Sequence, residues 1–208
     1  KSMGALCPCF STSDPESMGM EALEDERVGP YPVRLHKKRR SANLKIGHHD
    51  NYDIVSGSFP GSACCNTVLE QTRAYFEVTV LKEGVFCIGV ANKKFKEFDA
   101  FLTNASDKTI KNREVKDKSR NSWGYMCSEA KKDDVIGCSY DLNDVKSVMR
   151  FYKNGKRIRS AEVVGITGDV TAAISVSGDC ELKINWGGEP QQHRPKKFEP
   201  VVASMSVI

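Results

Sequence analysis

From residue 44 onward the apolar positions come in short runs separated by turn-forming residues, with almost no helical periodicity. Tyr75-Phe76-Glu77-Val78-Thr79-Val80-Leu81 alternates with period two, which predicts a half-buried strand. Glu83-Gly84 supplies a turn, and the apolar run 85–91 reads as the next, more deeply buried strand. These two strands are expected to form a hairpin. Residues 135–141 and 148–152 predict further strands, and the latter runs into Lys153-Asn154-Gly155-Lys156. Asn-Gly between strand-like segments is the strongest short-range hairpin signal in this chain. Residues 170–176 and 180–186 flank Ser177-Gly178-Asp179, which predicts one more hairpin. Many short strands with frequent turns describe an all-β sandwich.

Two stretches break this rhythm. Residues 93–120 are charged and weakly periodic, so they read as an extended loop or insertion. Residues 1–32 read as an N-terminal tail, polar and breaker-rich over 11–17 and acidic at Glu21, Glu24, Asp25 and Glu26. A basic run follows at Arg34, Lys37, Lys38, Arg39 and Arg40. The sandwich domain is assigned to 33–200, with 201–208 as a C-terminal tail.

Composition narrows the class. A chain of 208 residues with 39% hydrophobic and 28% charged positions fits one globular domain plus tails. The net charge of +4 is small and argues against a dedicated nucleic-acid binder. Eight cysteines do not make a disulfide framework here. Cys87, Cys138 and Cys180 lie in apolar runs, where a free thiol acts as a small hydrophobe, and Cys64 and Cys65 are adjacent. A reducing, cytoplasmic compartment is the natural reading. Neither a secretory apolar segment nor a run of roughly 18 apolar residues occurs, so neither export nor membrane spanning is expected.

Six short motifs stand in a fixed order: Tyr75-Phe76-Glu77-Val78, Ile88-Gly89-Val90-Ala91, Asn121-Ser122-Trp123-Gly124-Tyr125, Asp134-Val135-Ile136-Gly137-Cys138, Phe151-Tyr152-Lys153-Asn154-Gly155 and Asn185-Trp186-Gly187. In order and spacing they resemble the SPRY domain. The resemblance implies a bent sandwich of two antiparallel sheets whose loops at one end bind a protein or peptide. It implies no catalysis and no cofactor, and the module is read as monomeric. Three patches are placed like those with which family members grip peptides. Phe59-Pro60-Gly61-Ser62-Ala63 matches the first, Phe98-Asp99-Ala100-Phe101-Leu102 the second, and Val176-Ser177-Gly178 the third. The partner-contact candidates are therefore Pro60, Ser62, Phe98, Phe101, Val176 and Ser177. Peptide-gripping members place a tryptophan where this chain has Ser177, and large aromatic anchors supply most hot-spot energy. That departure implies a different ligand, or a surface no longer in use.

Other candidates have two readings each. Trp123 and Trp186 are expected in the core, because a strand sends every second side chain inward. Phe98 and Phe101 either meet a partner or pin their loop to the sandwich. If Met3 is the natural first residue, its removal exposes Gly4 for myristoylation, with Cys7 and Cys9 as palmitate acceptors. A single myristoyl chain anchors only marginally, so the second acyl group would carry stable attachment. Pro8 stands where Ser or Thr is usual. The basic run reads either as a charged edge strand or, with 93–120, as a surface for RNA or anionic lipid. His48 and His49, adjacent on a strand, point to opposite faces and cannot share a ligand. No Cys-x-x-Cys spacing supports a zinc site, and no nucleophile or phosphate-loop motif is present.

Overall fold

The computed structural model describes residues 32–102, 121–142 and 147–204. Within them the chain forms β1 (Leu35–Arg40), β2 (Lys45–His48), β3 (Asp53–Gly57), β4 (Gly61–Val68) and β5 (Arg73–Lys82). Next come β6 (Val85–Asn92), β7 (Ser122–Cys127), β8 (Val135–Asp141), β9 (Ser147–Lys153) and β10 (Lys156–Arg157). A 3-10 turn at Arg159–Ala161 leads to β11 (Val163–Ile166), β12 (Val170–Ser177), β13 (Cys180–Asn185) and β14 (Glu199–Pro200). The first sheet has the order β1-β4-β12-β6-β7. The second runs β10-β9-β8-β5-β13-β3-β2, with β11 beside β9 and β14 beside β5. Every pairing among the described residues is antiparallel except the short β14–β5 contact. The all-β sandwich is the observed architecture.

Period-two alternation decides which side chains meet between the sheets. Phe76, Ile88, Trp123, Phe151, Ile174 and Leu182 belong to one buried cluster fed by both layers. Each such fully buried side chain contributes about 1.5–3 kcal/mol. Trp123 and Trp186 are both core residues, and Trp186 packs on Phe76 with ring centroids 5.3 Å apart.

Two expected hairpins are absent. β5 lies in the second sheet and β6 in the first, so Glu83-Gly84 carries the chain across the sandwich. The same holds for β12 and β13 around Ser177-Gly178-Asp179. The two crossings abut, because a Cβ on Gly84 would stand 2.6 Å from Cys180 Cβ. A short turn between apolar runs looks alike whether it joins neighbours in one sheet or facing strands in two. The Asn154-Gly155 hairpin is present, since β9 pairs with β10 and both turn residues hold positive φ, 48° and 78°.

Both sheets are also covered outside. Residues 93–102 lie over the first sheet, where Phe95 and Leu102 pack on Cys64, Cys87, Ala91 and Ala173. The segment after β13 straps the second sheet. Glu77, 2% exposed, accepts the Gln192 amide at 2.7 Å, the His193 amide at 3.3 Å and the Tyr75 hydroxyl at 3.1 Å. β5 is therefore buried on both faces rather than one. Residues 201–204 are not a free tail either. Val201 is buried, its amide donates to Trp186 O at 3.0 Å, and the Ser204 amide donates to Thr67 Oγ1 at 2.6 Å.

One lateral edge of the sandwich is closed by a carboxylate. Asp53 on β3 is fully buried and accepts the Leu35 amide of β1 at 2.7 Å and Trp186 Nε1 at 2.9 Å through Oδ2. Its Oδ1 meets His48 Nδ1 at 2.7 Å. β1, outermost in the first sheet, carries Lys37 and Lys38 exposed, as a charged edge strand should. Arg39 departs from the solvated run: it is buried, and its Nη2 donates to Asn92 O at 2.9 Å.

Candidate functional site: the rim beside the sheet crossings

Four chain segments converge at the end of the sandwich where β3 turns into β4. Gly178 N donates to Ser58 O at 3.1 Å, and Ser58 Oγ donates to Asp179. These bonds join the β3–β4 turn to the β12–β13 crossing. Ser62 N donates to Phe98 O at 2.7 Å, which fixes the 93–102 segment against the start of β4. Asn43 Nδ2 donates to Pro60 O at 3.1 Å, and Asp99 Oδ1 accepts Ser41 Oγ at 2.5 Å. Small residues permit this closeness, for a Cβ on Gly61 would lie 2.8 Å from Leu44 Cδ2.

The arrangement leaves Phe59 at the turn tip, 70% exposed. Beside it runs a groove of about 280 Å³ lined by Asn43, Lys45, Ser56, Lys82, Asp179 and Glu181 together with the 57–59 turn. Lys82 and Asp179 stand 3.9 Å apart across it, both well exposed. An apolar projection beside a groove of both charge signs suits a peptide that offers an apolar anchor and flanking polar groups.

A family model for the SPRY domain matches residues 73–189, more than half of the chain. The chain belongs to the SPRY family. Among solved structures, the SPRY domain of human HERC1 is similar at 16% identity and a TM-score of 0.46, over 73% of this chain and 96% of that one. The TRIM65 PSpry domain is similar at 12% identity and a TM-score of 0.45, over 73% and 90%. A search of curated proteins gives no match. SPRY domains are in general non-catalytic protein-interaction modules, and the family assignment rests on the model match.

The SPRY patches read from the sequence do come together, but their residues divide. Pro60 is exposed and Ser177 half-buried, its Oγ 3.5 Å from Ser58 O. Ser62 and Val176 are fully buried and do not face outward. Ser62 Oγ bonds Ala100 O and lies 2.7 Å from Ser175 Oγ, which in turn accepts the Leu102 amide at 3.0 Å. Ser62 thus holds the second patch in place from beneath. Val176 points into the core because Ser177, its neighbour on the strand, points out. Phe98 and Phe101 are half-buried against the outer cluster, with Phe98 edge-on to Phe95 at 5.2 Å. They pin the loop to the sheet and keep part of each ring at the surface.

Phe59, within the first patch but outside the contact candidates, is the residue that sequence reasoning misses. Its signal is there to read: Ser58-Phe59-Pro60 places a large aromatic in a turn between two strand-like runs. The groove's Lys82 and Glu181 lie on β5 and β13 but outside the six motifs, and give none. Nucleophilic chemistry finds no support in the described thiols. Burial pushes Cys65 and Cys180 each up to about 12 and Cys127 to about 11, so all three stay protonated at neutral pH. Gly4, Cys7 and Cys9 lie outside the described residues.

Proposed function

We propose that this SPRY domain is an adaptor that captures a protein segment at the rim formed by residues 41–43, 58–60, 97–101 and 177–179. The observation that carries the reading is Phe59, 70% exposed at the convergence of these segments and beside a groove of mixed charge. Pro60, Phe98, Phe101 and Ser177 complete the contact surface, while Ser62 and Val176 support it from below. The test compares the full chain with a Phe59→Ser/Lys82→Glu chain in pull-downs, followed by reconstitution with the purified partner. Loss of a stoichiometric complex at unchanged melting temperature is expected. An identical complex from both chains would remove the rim from consideration.

Acylation belongs to the same proposal as its finer part. Myristate on Gly4 and palmitate on Cys7 or Cys9 would hold the adaptor at the cytoplasmic face of a membrane, and the spacing Met3-Gly4-Ala5-Leu6-Cys7-Pro8-Cys9 supports it. The intact mass of the protein from its native cell decides between an acylated and a bare N-terminus. Clustered N-terminal cysteines ahead of a domain of this size also support a kinship with SPRY domain-containing protein 7.

A further inference from the structure

Away from the rim, a second groove of about 460 Å³ lies where the start of β1 meets the end of β2. Arg34, Lys37 and Lys38 line it beside His36, His48 and Asn66, and no carboxylate does among the described residues. Arg34 and Lys38, with no carboxylate lining the groove among the described residues, concentrate a positive potential in this concave, partly desolvated surface.

The backbone that presents these groups is held from below. Asn66 Oδ1 accepts the Arg34 amide at 3.0 Å, Asn66 N donates to Arg34 O at 2.8 Å, and Asn66 Nδ2 donates to Pro32 O at 3.0 Å. The next amide, Leu35 N, is fixed by Asp53. Arg34 is thereby anchored through its main chain, yet its Nε is buried and meets no acceptor among the described residues. A buried guanidinium donor without a partner is costly, and such a group marks a place where an acceptor belongs. His36 is fixed too. Its Nδ1 accepts the Lys38 amide at 2.9 Å and the Arg39 amide at 3.1 Å, so the ring is the Nε2–H tautomer and offers a donor. Burial, then Arg39 and Lys38, lower its proton affinity and keep it neutral. Asp53, behind His48, is committed to Leu35, Trp186 and His48.

We infer that this groove binds a phosphate monoester, with Arg34 as the forked donor, Lys38 as the second charge and His36 as a neutral donor. Guanidinium pairs with phosphate through parallel N–H···O bonds, a geometry an ammonium cannot reproduce. The source that fits is a phosphorylated side chain of a protein rather than a lipid headgroup. Membrane-docking surfaces combine cations with apolar side chains that enter the bilayer. The exposed large apolar residues among those described are Phe59, Leu142 and Val202, and none lines this groove. The phosphate chemistry is independent of the rim, whereas the choice of a protein source rests on the adaptor reading.

The test is an NMR titration of the full chain with O-phosphoserine, with inorganic phosphate, with serine as the uncharged control, and with vesicles of phosphatidylcholine containing phosphatidylinositol 4-phosphate. Saturable shifts of the Arg34 Nε–H and of the residue 34–38 and Asn66 amides are expected with the first two probes and not with serine. Arg34→Gln/Lys38→Gln should weaken binding at least about tenfold, since each charge-assisted bond is worth about 1.5 kcal/mol or more. Arg34→Lys should restore little of it, and Phe59→Ser should leave it unchanged, which separates this groove from the rim. Shifts that climb without saturation, or that persist in the double variant, overturn the site. Groove-dependent binding to the vesicles that exceeds binding to O-phosphoserine overturns the protein source.

Discussion

Replacing Asp53 with alanine tests the lateral closure of the sandwich. The change removes the acceptor for two buried donors, the Leu35 amide at 2.7 Å and Trp186 Nε1 at 2.9 Å, and the partner of His48 Nδ1 at 2.7 Å. His48 is 28% exposed in its side chain and can turn to water. The other two cannot. Each orphaned donor costs about 1–3 kcal/mol. Against this stands the relief of a fully buried carboxylate's own desolvation, which leaves a net loss of roughly 3 kcal/mol. A domain of this size loses about 2–4 °C per kcal/mol, so the melting temperature should fall by roughly 6–12 °C. Urea unfolding with an unchanged m-value measures the loss. Hydrogen exchange should show the β1 amides released first, because among the described strands β1 joins the first sheet through β4 alone. If Asp53→Ala stays within about 1 kcal/mol of the parent, desolvation has offset the bonds and the lock contributes nothing net.

Gly61→Ala should cost about 1–3 kcal/mol through collision with Leu44, 2.8 Å from the added methyl, and a Leu44→Ala background should suppress the penalty; thermal denaturation of the four chains checks this. Glu77→Ala should free the strap over β5, so limited proteolysis between Gly188 and Phe198 should accelerate before the core unfolds. Stability should decline as pH rises above about 9, where an unfolded thiol ionises while Cys65 and Cys180, pushed up to about 12, hold their protons. The unfolded state then binds fewer protons than the native one, so stability falls with pH. Replacing both thiols with alanine should flatten that part of the urea midpoint against pH curve.

Features set by local chemistry are legible in the chain itself. Asn154-Gly155 specifies its turn because both residues tolerate positive φ, and the apolar run 85–91 announces a strand buried on both faces. Pairing partners are not legible, because the choice between a hairpin and a crossing is made by distant strands. β12 prefers β4 and β6 to β13, and neither the turn nor its flanks encode that preference. At the rim, the motifs point to segments that lie together in the fold and leave the aim of the side chains open. Val176 and Ser177 differ only in the parity of their strand position, which the core fixes. Asp53 is invisible for a related reason: its three partners lie 18, 133 and 5 positions away, and only one of them falls within any motif read from the chain.

The order of strands bears on how the protein can be made. β12 sits between β4 and β6, and β13 sits between β5 and β3, so the last long strands among the described residues are the inner strands of both layers. Until residues 170–185 leave the ribosome, each sheet exists as two halves with no strand to join them, and their open edges invite pairing with other nascent chains. A fragment cut to residues 73–189 would keep both keystones and lose β1 to β4, the strands they are meant to bridge. Such a fragment should aggregate even though it spans the whole family match.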